Sequence, residues 1–156
     1  MKSRVIASLA VGAALVLGAT GCGMIAPQAT TIPYSPAEGV SIADSSGPLK
    51  VRNALVVANA DGSTGNFLAA IVNDTMEPQT LFVGLAGANQ RVEVPALSSL
   101  SLGFGGTAPI ELTNLGSVPG TDVEMTFQSG DGTGVMTSVP VLDGMLPYLA
   151  PFVPAV

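Results

Sequence analysis

Apolar and polar positions divide this chain into three stretches of different rhythm. Behind the basic start Met1-Lys2-Ser3-Arg4, the run VIASLAVGAALVLGAT (Val5–Thr20) holds sixteen residues without a charge. From Leu49 to Leu142, short apolar runs are punctuated by Gly, Pro, Asn and Asp, a spacing that predicts strands joined by turns. Asp143–Val156 is apolar again but interrupted by Pro147, Pro151 and Pro154. The middle stretch begins with LKVRNALVVANA, where Leu49, Val51, Asn53, Leu55 and Val57 share one parity, a period of two interrupted by a polar Asn. After the hairpin-like ADGSTGN, the nearly continuous FLAAIVN reads as a central strand buried on both faces. TLFVGLAG, QRVEVPA, SLSLGFG, PIELTN, TDVEMTFQS and GVMTSVPV complete a set of eight strands with no helical stretch between them. The expectation is one all-β sandwich with Val57, Phe67, Ile71, Leu81, Val83, Leu112, Val123, Met125, Phe127 and Val139 in its core. For the last hairpin, pairing Val123 with Val139, Met125 with Thr137 and Phe127 with Val135 puts the bulkier apolar set on one face. It leaves Glu124, Gln128 and Ser138 on the other, whereas a slip of one residue would reverse every face.

The front end gives an address. A basic start, a short apolar run and the small residues Ala19-Thr20-Gly21 make a secretory signal, because sixteen helical residues fall short of the roughly 30 Å hydrocarbon core. Cys22, the only cysteine, follows at once. This resembles a bacterial lipobox, in which the cysteine is acylated and becomes the mature N-terminus. Leucine is usual three residues before that cysteine, and Ala19 stands there, with Leu17 two places further back. The alternative is a secreted protein cut near Ala19–Gly21 with Cys22 left as a free thiol, a liability in an oxidising compartment that acylation removes. The predicted organisation is a lipoprotein signal peptide at 1–21 and a tether at 22–33. A sandwich at 34–142 and a Pro-rich apolar tail at 143–156 follow. The implied location is the outer face of the cytoplasmic membrane, with the lipid bilayer as partner through an acyl anchor on Cys22.

Charge narrows the remaining partners. Of five basic residues, Lys2 and Arg4 belong to the signal, so three face eleven acids in the mature chain, a balance of −8. Such a surface repels phosphate backbones, which argues against nucleic acid. The chain has no histidine to serve as a base for its many serines, and Cys22 is committed to the anchor. LGFGGT lacks the lysine and helix of a phosphate loop. Asp122 and Glu124 share the solvent side of a strand and read as surface charge. NADGSTGN (59–66) and SGDGTG (129–134) each offer one carboxylate and hydroxyls, which turn chemistry explains as well as calcium does. The expectation is a protein that is not an enzyme and carries no cofactor.

The pieces IPYSPAEGV, LKVRNALVVANADG, APIELTNLGSVPGTDVEMTF and GTGVMTSVPV resemble actinobacterial lipoproteins of the LpqE type, distant relatives of the PCu(A)C periplasmic copper chaperones. The resemblance spans roughly Tyr34 to Leu142 and implies an immunoglobulin-like or cupredoxin-like sandwich outside the membrane. The copper chaperones hold Cu(I) through methionine and histidine, including a His-x-Met that matches Pro109-Ile110-Glu111 here. Proline takes the place of the histidine and Glu111 that of the methionine. Their other His and Met would fall in AGANQRVEVPALSSL, which has neither. No copper ligand is therefore carried over. What remains is a non-enzymatic binding or scaffold module for an envelope protein or polymer. The alternative is copper(I) handling by methionines alone, with Met76, Met125 and Met136 as ligands; Met is also a common filler of cores.

The tail, with Met145, Leu149, Phe152 and Val153 on one helical stripe and three prolines against a continuous helix, predicts an extended or single-turn segment. It either folds back over the sandwich or offers its aromatics to a partner or the membrane surface.

Overall fold

The computed structural model describes residues 2–19 and 37–155. Lys2–Ala19 form a helix, α1, which lies in one compact unit; a second unit holds everything that follows Tyr34. Among the described residues no helix is long and apolar enough to cross a membrane.

Among the described residues eight strands build the second unit: β1 (Lys50–Ala58), β2 (Thr64–Asn73), β3 (Gln79–Leu85), β4 (Ala88–Val94), β5 (Ser98–Leu102), β6 (Ile110–Thr113), β7 (Asp122–Ser129) and β8 (Val135–Leu142). One layer has β2 at its centre, paired antiparallel with β1 on one side and with β5 and β6 on the other. The second layer runs β4-β3-β7-β8, all antiparallel. β8 also pairs parallel with β1 through Val56–Val141 and Val57–Leu142, so a single sheet folds over into two layers. The fold is an all-β sandwich.

The alternation on each strand shows why. β7 is buried at every second residue, with Val123, Met125, Phe127 and Ser129 inward. It meets β8 in the register that places Val123 opposite Val139 and Phe127 opposite Val135, so the apolar residues of both strands share the inner face. The ten residues expected in the core are all buried. β3 and β4 are joined through Ala86 and Gly87, both at positive φ, as a two-residue turn matched to strand twist requires.

β1 departs from the single parity expected of it. Asn53 adopts φ 51°, and the pairing with β2 shifts by one residue between Arg52 and Leu55. Asn53 and Ala54 together oppose Ala69, which is a β-bulge. Leu49 and Val51 point between the layers before the bulge; after it Ala54, Val56 and Ala58 do so, and Leu55 and Val57 turn to the outside of the sandwich. Val57 is buried as expected, but in a second cluster with Leu55, Leu68 and Leu149, under the tail. The Asn53 carboxamide secures the bulge by accepting a hydrogen bond from the Gly39 amide at 2.8 Å. Beside it the incoming chain pairs with β1 through Val40 and Ala54.

Candidate functional site

Cys22, the residue assigned to lipidation, lies outside the described residues. The three methionines named for copper are placed apart by strand geometry. Met125 is wholly buried between the layers, while Met76 is 86% exposed in the turn between β2 and β3 and Met136 is 67% exposed on β8. Met125 pairs with Thr137 and Met136 with Thr126, so the two sulfurs belong to opposite faces of one sheet. The thioether of Met125 is spent on core packing against apolar neighbours.

Glu111, which stands where the copper chaperones have methionine, sits on β6 beside the β3–β4 hairpin. Val83, Leu85, Ala88, Gln90, Glu111, Leu112 and Thr113 line a cleft of about 40 Å³ there. The fold thus brings together the two stretches that the resemblance matches to the metal site. The polar side chains lining the cleft are the Glu111 carboxylate, the Gln90 amide and the Thr113 hydroxyl. These are hard oxygen donors without a thioether, thiolate or imidazole, and they do not fit Cu(I). No group of three His, Cys, Asp or Glu able to hold a metal occurs among the described residues.

The two loops weighed for calcium are organised as turns. The Asp61 carboxylate accepts hydrogen bonds from the Ser63 amide at 2.9 Å and the Ser63 hydroxyl at 2.7 Å, which hold it below the usual aspartate range. In the second loop the Gly132 amide donates to the Ser129 carbonyl at 3.0 Å. Lys50, Arg52 and Arg91 are each matched to an acid: Lys50 to Asp74, Arg52 to Asp44 at 2.9 Å and Arg91 to Glu93 at 3.8 Å. The hydrogen bond and charge of Lys50 hold Asp74 below its ordinary range, and Asp74 raises Lys50 in return.

A buried polar hub was not foreseen. The Asn73 carboxamide donates to the carbonyls of Glu77, Val94 and Pro95 at 2.9, 3.1 and 2.9 Å. Its oxygen accepts from the amide and hydroxyl of Thr75. One side chain thereby ties the β2–β3 turn to the end of β4. The polar residue closing FLAAIVN was the available signal.

The tail folds back over the outer side of β1 and β2. Leu149 is buried against Leu55, Val57 and Leu68, the residues that the bulge turned outward, with Leu142 and Phe152 at the edge. Phe152 meets Phe104 edge-on at 5.0 Å, and its carbonyl accepts from Asn66 at 2.8 Å. The Tyr148 hydroxyl donates to the Glu38 carboxylate. That bond holds Glu38 below the usual glutamate range and Tyr148 above the usual tyrosine range. On the outer side of the other layer, Phe82, Asn89, Thr126 and Gln128 surround a shallow hollow of about 200 Å³. Gly84 lies between Asn89 and Thr126 in the pairing, and a Cβ there would come within 2.2 Å of Thr126 Oγ1.

No family model and no curated protein matches the chain. Solved structures of PCuAC domains are similar to it. One is the copper-bound PCuAC domain from PmoF2, with 19% identity and a TM-score of 0.51, covering 66% of this chain and 97% of that one. Another is the apo PCuAC domain from PmoF1, with 23% identity and a TM-score of 0.50, covering 61% of this chain and 93% of that one. At these identities the likeness is one of fold.

Proposed function

We propose that this protein is a membrane-anchored extracytoplasmic lipoprotein of the LpqE type, acting as a non-enzymatic binding or scaffold module of the cell envelope. The observation that carries the reading is the junction Ala19-Thr20-Gly21-Cys22 behind an uncharged run, followed by a sandwich unit. The acyl chains on Cys22 tie the domain to the outer face of the cytoplasmic membrane. The partner is an envelope protein or polymer, and the surface offered to it is acidic. Two measurements test this. The N-terminal peptide of the purified protein should carry the mass of a diacylated cysteine, and Cys22→Ser should leave the membrane fraction or remain unprocessed. A processed, membrane-bound Cys22→Ser protein would refute the anchor.

The likeness to a copper-bound domain supports a second reading, a divergent copper(I)-handling protein that uses methionines. The separation of Met125 from Met136 weighs against it. A Cu(I) competition titration on the protein decides between the two. Stoichiometric uptake abolished by Met76→Leu with Met136→Leu would establish copper handling, and no uptake is the expected result.

A further inference from the structure

We infer that the folded-back tail is the face with which the domain rests on the bilayer, its exposed apolar side chains seated among the lipid headgroups and upper acyl chains. This inference rests on the lipoprotein reading above.

Four observations lead to it. First, the tail is anchored and yet shows apolar surface. Leu149 fixes it to the sandwich, while Met145, Leu146, Tyr148 and Val153 remain exposed, as does Phe104 beside Phe152. From Gly144 to Val156 no side chain carries a charge.

Second, the turn that closes the tail meets its own backbone donors. The amides of Met145, Leu149, Ala150, Phe152 and Val153 all donate within the segment. Pro147, Pro151 and Pro154 have no amide hydrogen to satisfy. These donors add no cost as the tail approaches hydrocarbon, and the amides of Gly144, Leu146 and Tyr148 would meet water and headgroup oxygens at the interface.

Third, the chain that comes from Cys22 joins the domain beside the tail. Glu38, one residue into the described part of this unit, is the acceptor for Tyr148. An anchor at Cys22 places the bilayer at the other end of a segment of fifteen residues. Even a weak apolar contact is then intramolecular, at an effective concentration of about a millimolar or more, and becomes populated without high intrinsic affinity.

Fourth, electrostatics selects apolar seating over attraction to anionic lipid. Lys50, Arg52 and Arg91 are already matched to acids, and the mature chain is strongly acidic. The contact should therefore form on zwitterionic lipid and persist in high salt. In this orientation the opposite outer face, with the hollow beside Phe82, points away from the membrane.

The chain has no tryptophan, so one substitution makes a unique fluorescent reporter. The experiment uses the full acylated protein in phosphatidylcholine vesicles containing lipids with brominated acyl chains. Met145→Trp reports the tail, and Phe82→Trp, on the outer side of the other layer, is the reference. The expected result is a blue-shifted Met145→Trp emission quenched by about half, with Phe82→Trp unquenched. Equal quenching at both positions, or none at Met145→Trp, overturns the inference. Vesicle flotation and the mass of the N-terminal peptide report the anchor separately. If acylation is absent, the lipoprotein reading fails by that measurement. The single thiol of Cys22 is then coupled to a maleimide lipid and the same quenching comparison still decides the orientation.

Discussion

The rings of Phe67 and Phe127 meet between the two layers of the sandwich, with centroids 5.8 Å apart and planes 40° apart. Phe67 belongs to β2 and Phe127 to β7, so this tilted pair joins the central strand of one layer to an inner strand of the other. Both side chains are fully buried. Phe127→Ala removes a ring that the surrounding core cannot replace, and should cost about 3–5 kcal/mol in denaturant unfolding. That is a large part of the 5–15 kcal/mol typical of a domain of this kind. An unchanged unfolding midpoint would contradict the packing described.

Asn73 should be nearly as sensitive, for a different reason. Asn73→Ala takes the buried donor from the Val94 carbonyl and the acceptor from Thr75, while the Glu77 and Pro95 carbonyls keep the Thr75 and Ser98 hydroxyls. An unsatisfied buried group costs about 1–3 kcal/mol, so the loss should be about 2–3 kcal/mol. Asn73→Asp keeps the shape but turns a donor toward those carbonyls into an acceptor, and should be less stable than Asn73→Ala near neutral pH. Thermal melts of the three proteins test the order.

The Glu38–Tyr148 bond makes one contact of the tail dependent on pH. Glu38 is lowered by the hydrogen bond, so its contribution is present above the ordinary glutamate value and lost as pH falls through the lowered one. Tyr148 is raised by the same bond, so its contribution is present below the ordinary tyrosine value and lost as pH rises through the raised one. The contact is therefore at full strength between about pH 4.3 and about pH 10 and fades beyond both limits. Tyr148→Phe should melt below the parent protein within that window, and the two melting temperatures should converge outside it at either end.

Removal of the tail should destabilise the sandwich. Leu149→Ala opens a cavity over Leu55, Val57 and Leu68 and should cost about 2–5 kcal/mol. Deleting residues 145–156 exposes the whole cluster and should lower the melting temperature by roughly 10 °C. A deletion with an unchanged melting temperature would show that the tail does not stabilise the domain in solution.

The number of strands, the register of the last hairpin and the core positions were legible because β7 and β8 alternate strictly and Gly, Pro and Asp punctuate every turn. The reversal in β1 was not legible. Leu49, Val51, Leu55 and Val57 keep one parity on both sides of the polar Asn53, and only the left-handed backbone of Asn53, held by the Gly39 amide, shows that the frame slips. A local pattern cannot report a bulge whose stabilising partner lies fourteen residues earlier. The separation of the methionines was legible only in part. The inward face of Met125 followed from the hairpin register, which also sends Met136 outward, but the pairing of both strands had to be known first. The cleft at Glu111 depends on a β6–hairpin juxtaposition that no local signal carries.

The parallel pairing of β1 with β8 governs when this domain is able to fold. Val56 and Val141 are 85 residues apart, and β1 lacks one of its two neighbours until the final strand is present. Closure over so long a loop is entropically costly and slow, in the millisecond-to-second range of sandwich folds. A chain that leaves its site of synthesis amino end first cannot complete this architecture early. It stays open along the free edge of β1, and the sandwich locks only as its last strand arrives.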